Sequence, residues 1–292
     1  MIHSSRPITP ALVADHYDDL DRVYREVWGE HVHHGLWRTG TETPAEAVER
    51  LVELVAAEAG VRSGCEAVDI GCGYGATARY LAAKFGARVT GLTITPAQYR
   101  YATAATPGGD PRYLLRDWLD NGLPDAAFDA AYAIESTEHM ADKARAFAEA
   151  FRVLRPGGRL VVCAWTAADP AKAWERRHLL EPICREGRLP GMGTEADHRA
   201  LLGAAGFAVE AATDVSRQVR ATWGICLRRT VAKLFTERES RAYLFSAASR
   251  NRDFLLSLGR IWLAYRTGSM RYLVWRARKP GGVCRSPSVG ER

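Results

Sequence analysis

The first chemical signal in the chain is Val68-Asp69-Ile70-Gly71-Cys72-Gly73-Tyr74-Gly75. Glycines at 71, 73 and 75 permit backbone angles that side chains forbid, and let a ligand lie directly on the main chain. The apolar run before them reads as a strand and the Ala- and Leu-rich run after them as a helix. The turn therefore sits at the carboxyl end of a strand, where open α/β sheets bind ligands. Its G-x-G-x-G spacing differs from the dinucleotide pattern G-x-G-x-x-G, which sets a pyrophosphate on a helix N-terminus. A second group is Trp28-Gly29-Glu30-His31-Val32-His33-His34-Gly35-Leu36-Trp37, with three histidines in four residues. Three readings apply to it: a metal site, histidines packing at a helix end, or an aromatic lid that excludes water from a ligand. No cysteine or carboxylate cluster stands nearby to complete a metal site, and no metal is expected.

These groups need elements to hold them. Residues 1–10 are polar and read as disordered. From Leu12 to Trp28, apolar residues three and four apart trace one face of a helix. Thr43 caps a helix that runs to about Ala59, with Pro44 at its first position. The first strand, at about 65–70, leads through the glycine turn into a helix that ends near Gly86. Strands follow at 88–93, 112–115, 128–134 and 159–165, separated by helices from Pro96 to about Ala105 and from Asp142 to Leu154. Strands alternating with helices imply a parallel, doubly wound α/β sheet. Residues 170–190 and 194–205 read as helical, 207–215 as a strand, 219–264 as mainly helical and 271–278 as a last strand. This divides the chain into a lid and linker (1–42), a core (43–170), the rest of the sheet with helical insertions (171–280) and a Gly/Pro/Ser/Arg tail (281–292).

Composition excludes little beyond this. The 292 residues are 47% hydrophobic and 25% charged, as in an ordinary globular protein. The net charge of +6 does not demand a nucleic-acid partner, because the arginines are spread along the chain. Six cysteines without a C-x-x-C pair indicate a reducing compartment. Without a signal segment or a long apolar run, the reading is cytoplasmic, with no integral membrane contact.

The chain resembles one branch of the class I S-adenosylmethionine (SAM) methyltransferases, that of γ-tocopherol methyltransferase. The likeness rests on the 28–35 segment, Val68–Gly73, Ile134-Glu135-Ser136…Glu138-His139-Met140…Asp142-Lys143-Ala144 and Pro156-Gly157-Gly158. Asp214…Ser216-Arg217 with Trp223 and Arg278-Lys279-Pro280 extend it. The resemblance implies a Rossmann-like seven-stranded sheet, the last strand antiparallel, with an N-terminal helical lid and helical insertions. It also implies SAM as cofactor and S-adenosylhomocysteine as product. Gly71, Gly73 and Gly75 would line the methionine portion, with Asp69 supporting the loop. Thr93 and Gln98 would bind the ribose, and Asp117 the adenine, with Trp118 beside it. Ile134 and Glu135 would lie next to the reactive methyl, and Tyr17 and His33 would close over the methionine end. Each role has a structural alternative: Asp117 as a turn cap, Thr93 as a plain strand residue, and Glu135, Glu138 and His139 as a helix-start cluster.

Methyl transfer requires an in-line nucleophile and, for a phenol or an electron-rich carbon, removal of a proton. Glu138 and His139 are the candidate bases, with His33 and His34 as rivals. Aromatic and aliphatic residues in the insertions (Trp174, Trp223, Leu234, Phe235, Phe254, Trp262, Tyr265) suit a small, largely apolar acceptor, prenylated, aromatic or terpenoid. The Ala/Arg/Gly-rich composition reads as bacterial, and the resemblance then implies specialised metabolism, C-methylation first and O- or N-methylation second, with a homo-oligomer possible. Two other classes are weighed. A methyltransferase of base amino groups would carry an Asn/Asp-Pro-Pro-aromatic motif where Ile134-Glu135-Ser136-Thr137 stands, and no stacking platform is evident. A non-catalytic SAM-binding protein, such as a cyclase or sensor, would share the fold.

Overall fold

A computed structural model describes residues 1–238 and 252–281. The parts of the expected helical stretch and tail at 239–251 and 282–292 lie outside the described residues, as does the side chain of Phe254. The chain opens with β1 (Ile2–His3), α1 (Pro10–Asp19), α2 (Asp21–Val27) and α3 (Pro44–Ala59). The nucleotide-fold rhythm follows: β2 (Glu66–Ile70), α4 (Ala76–Phe85), β3 (Arg88–Thr93), α5 (Pro96–Ala104), β4 (Arg112–Leu115), β5 (Phe128–Ile134), α6 (Lys143–Val153) and β6 (Leu154–Ala167). Next come α7 (Ala173–Glu175), a π-helical turn (Arg176–Leu180), α8 (Glu181–Glu186), β7 (Gly191–Met192), α9 (Glu195–Ala204) and β8 (Ala208–Asp214). The chain closes with α10 (Ser216–Val219), α11 (Ala221–Thr236), α12 (Arg252–Thr267) and β9 (Met270–Arg278).

Seven strands form one sheet in the order β4-β3-β2-β5-β6-β9-β8. β9 runs antiparallel to both neighbours, as expected. Burial explains the composition of the central strands: Ala67, Val68, Ala130, Ala131 and Tyr132 are fully covered, so both faces need apolar residues. Thr43 and Glu46 form a reciprocal capping box at α3, with Pro44 behind the cap. β6 starts five residues earlier than the sequence suggests. Leu154 pairs with Phe128, the register then shifts, and Arg159 pairs with Ala130, so Arg155–Gly158 is a bulge within the strand rather than a loop before it.

The N-terminus departs most from expectation. Residues 2–3 are not disordered but pair antiparallel with β7, Ile2 opposite Met192. The single helix expected from Leu12 to Trp28 is two, broken at Leu20, whose side chain turns into the core. The segment also has tertiary partners. Leu20, Tyr24, Val27 and Leu36 are all at most 5% exposed and join the main hydrophobic cluster or the buried core around it. Part of this packing is with elements far off in the sequence, as α2 meets α11, which local sequence did not reveal. At roughly 2 kcal/mol per fully buried side chain, these four alone contribute roughly 8 kcal/mol, comparable to a domain's whole net stability. Deleting residues 1–37 should therefore abolish the cooperative urea transition followed by circular dichroism. A truncated protein that still unfolded cooperatively would show the segment to be separable.

Candidate active site

The carboxyl ends of β2, β3, β4 and β5 surround a cleft of about 870 Å³, counted out to its open mouth. It brings together Tyr17, Gly71, Gly73, Thr93, Gln98, Asp117, Trp118, Ile134, Glu135 and His139. The glycine turn is held from several sides. A Cβ on Gly71 would collide with Ser136, and one on Gly75 would lie 2.5 Å from the Tyr113 hydroxyl. Gly73, at φ +53°, is different: nothing lies within 4 Å of where its Cβ would stand. Asp69 lies beneath the turn, 3% exposed, with one carboxyl oxygen lacking a partner. Burial pushes its pKa up to about 7, the Tyr132 side chain pulling the other way.

Across the cleft, the Thr93 hydroxyl donates to Gln98 Oε1 at 2.9 Å. Asp117 Oδ1 accepts the Leu119 N–H at 2.9 Å, so it caps the turn while it lines the cleft. Trp118 is buried and donates Nε1–H to the Ala146 carbonyl.

The acids and imidazoles divide sharply by role. Glu135, at φ +54°, has its side chain 8% exposed. Its carboxylate accepts from the His34 N–H (2.7 Å), the Tyr272 hydroxyl (2.8 Å) and Trp165 Nε1–H (3.0 Å). Burial alone would raise its pKa, but His34, His33 and the His34 N–H outweigh that and hold it at about 2. Trp223 Nε1–H, which can only donate, lies 2.6 Å from His34 Nε2. His34 therefore carries its proton on Nδ1, which lies 2.9 Å from Glu135 Oε1. With that lone pair occupied, His34 is a fastener rather than a base.

Glu138 is 3% exposed and accepts the Trp165 N–H at 2.8 Å. Burial raises its pKa to about 8, opposed by that N–H and reinforced by Glu135. It is the protonated member of the pair at neutral pH. His139 Nδ1 faces the Arg188 carbonyl at 3.1 Å, which fixes the proton there. Nε2 is left as an acceptor for the Tyr17 hydroxyl at 2.9 Å. Burial lowers the His139 pKa to about 4, so the ring is neutral.

His33 is set apart from the cleft. Its Nδ1 donates to the His34 carbonyl at 2.8 Å and its Nε2 faces His31 and Thr77. The residue does not lie where the lid assignment put it, because the 31–34 backbone turns its ring toward the first turn of α4. Gly75 and Asp69 support the turn without lining the cleft. Among the described residues, no three His, Cys, Asp or Glu side chains converge as metal ligands.

A smaller cavity of about 480 Å³ adjoins the cleft and shares Tyr17, Val32, Glu135 and His139 with it. Glu138, Tyr24, Trp28, Trp165, Gly187, Leu189 and Trp223 complete its walls. Of the aromatic residues singled out from the insertions, Trp223 lines this cavity. Trp174 and Phe235 are exposed, and Tyr265 is buried core. Sequence reasoning missed Trp165, although an aromatic residue at the carboxyl end of a central strand was the available signal.

A family described as a methyltransferase domain matches residues 68–162. Tocopherol O-methyltransferase of Arabidopsis thaliana is 32% identical over 238 residues, covering 74% of this chain and 68% of that protein. The 27-O-demethylrifamycin SV methyltransferase of Amycolatopsis mediterranei is 32% identical over 281 residues, 93% of this chain and 98% of that one. The chain belongs to the class I SAM-dependent methyltransferases, in the tocopherol methyltransferase branch. A solved structure of the cyclase SpnF superposes on the methyltransferase with a TM-score of 0.78 at 26% identity, covering 96% of this chain and all of that one. The cofactor is SAM, and the residues present fit it: the turn leaves open space over Gly73, and a hydroxyl–amide pair faces the cleft. In the methyltransferase, Gly73→Ala should fold at a cost of about 1 kcal/mol for the left-handed backbone. SAM affinity should fall about tenfold, since an added methyl in a packed contact costs 1–3 kcal/mol. Unchanged SAM affinity by calorimetry would remove the turn from the cofactor site.

Proposed function

We propose that the enzyme methylates a hydroxyl oxygen of a small, largely apolar molecule of specialised metabolism. The supporting observation is the neutral His139, whose free ring nitrogen receives the Tyr17 hydroxyl where cofactor cleft and aromatic cavity meet. The two relatives above are named for oxygen methylation, which favours it over the carbon methylation placed first by the sequence reading.

Gly71 and Gly73 would carry the methionine portion of SAM. Thr93 with Gln98 would take the ribose, and Asp117 the adenine amino group. Bound there, SAM supplies an electrophilic sulfonium methyl. Ile134 would back that methyl, and the aromatic walls of Tyr24, Trp28, Trp165 and Trp223 would hold the acceptor and exclude water. An acceptor hydroxyl that takes this methyl must give up its proton. Its proton passes to the Tyr17 oxygen, and the Tyr17 proton passes to His139 Nε2. The Glu135 carboxylate, ionised throughout, favours the imidazolium that results. Protonated Glu138 stays an acid at neutral pH, leaving His139 as the base.

Tyr17→Phe and His139→Ala should each lower kcat by about 10²–10⁴-fold, the usual weight of a positioned base, and the double variant should lose no more than either. Additive losses would break the relay. His139 can accept a proton only above its pKa of about 4, so kcat/KM should fall as the pH drops through that value. A rise through about 8 instead would make Glu138 the base. Mass and NMR analysis of the methylated product decides between oxygen and carbon.

A further inference from the structure

The acceptor cavity ends at the indole of Trp28, which packs edge-on against Trp223 with ring centroids 5.5 Å apart. Trp28 also lines a second hollow of about 890 Å³, between the 28–37 segment and α11. Through Trp37, Pro44 and Ile225 that hollow continues into a wide groove of about 1700 Å³ between the start of α11 and α12. The three spaces thus adjoin through shared wall residues, Trp28 between the first two and Trp37, Pro44 and Ile225 between the last two. Gly29, at φ +99° with nothing within 4 Å of its Cβ position, leaves the backbone next to Trp28 room to turn.

Charge sets the outer groove apart. Arg217, Arg220, Arg228 and Arg266 line it, all exposed. Among the described residues, none of the four has an acid within ion-pair distance, whereas Arg25, Arg79, Arg88, Arg152, Arg155 and Arg276 each do. The acid in the groove wall is Glu42, and its carboxylate is taken up by the N–H groups of Arg38, Thr39 and Gly40. The Arg266 guanidinium lies 4.3 Å from the Trp262 ring centroid, a stacking that leaves its in-plane N–H groups able to bond. Uncompensated guanidinium groups gathered in one concavity attract anions, and their fork geometry suits phosphate oxygens. A phosphate ester brings close to two charges where a carboxylate brings one, so phosphate answers four arginines better.

We propose that this groove is a second ligand subsite, which holds the phosphate-bearing far end of an elongated acceptor whose reacting end lies beside Tyr17 and His139. Its inner end rests on the acceptor reading above, but the outer end is measurable by itself.

Calorimetric titration of the full chain with sodium tripolyphosphate, without SAM or acceptor, tests it. Saturable binding is expected. It should weaken about tenfold or more in Arg220→Glu/Arg228→Glu, the equivalent of one lost charge-assisted contact, and less in Arg220→Gln/Arg228→Gln. SAM affinity should not change in either variant. Absent binding, equal binding by the charge-reversed variant, or displacement by SAM would overturn the subsite. Tricarballylate, a carboxylate probe, should bind more weakly, and equal affinity would overturn the phosphate assignment. Failure of the oxygen-methylation reading would leave this titration unaltered.

Discussion

The buried Glu135 carboxylate organises the active site. Four parts of the chain meet on it: the end of β5, which carries it, the 28–37 segment through His34, the end of β6 through Trp165, and β9 through Tyr272. A buried carboxylate without partners would be neutral or destabilising by several kcal/mol. Surrounded by donors it is ionised, and each donor is in turn fixed. The left-handed backbone at Glu135 costs about 1–3 kcal/mol, a strain tolerated because the surrounding contacts over-determine it. His34 shows how the order propagates. With Nδ1 2.9 Å from Glu135 and Nε2 accepting from Trp223, it ties the N-terminal segment to α11.

That anchor also separates the neighbouring titrations. Glu135 and Glu138 are both buried, yet one is held near 2 by its donors and the other rises to about 8, with the first charge adding to the rise. His139, three residues from the turn of α6, is kept neutral by burial and in one tautomer by the Arg188 carbonyl. The sequence Glu-x-x-Glu-His thus encodes three protonation states from adjacent positions. Only surroundings from distant parts of the chain distinguish them: the 28–37 segment, the end of β6, β9 and Arg188.

Legibility in the sequence followed the range of the forces involved. The glycine turn, the strand rhythm, the Thr43 cap and the 128–134 strand are local, and the structure reproduces them nearly to the residue. The residues brought to the cleft from β2, β3, β4 and β5 were legible for the same reason: each sits at a strand end that a short pattern marks. The pairing of residues 2–3 was not legible, because their partner strand lies almost two hundred residues away, and neither was the packing of α2 against α11. His33 and His34 look alike in sequence and differ entirely in place. One packs against Thr77, the other locks onto Glu135, and no local pattern separates the two.

The same contrast bears on what chooses the acceptor. The cofactor cleft is built almost wholly from the regular βα units, whose backbone geometry changes little with side chains away from the turn. The acceptor cavity takes Tyr24 and Trp28 from the N-terminal helices, Gly187 and Leu189 from the segment after α8, and Trp223 from α11. Those elements pin one another through buried polar contacts, as when Glu186 at the end of α8 receives Ser257 and Arg260 of α12. A substitution that moved α8 or α12 would therefore reshape the acceptor cavity while leaving the SAM cleft intact. On the proposed assignment, acceptor choice and cofactor binding reside in separable parts of one fold, which meet at the residues common to both spaces, Tyr17, Val32, Glu135 and His139.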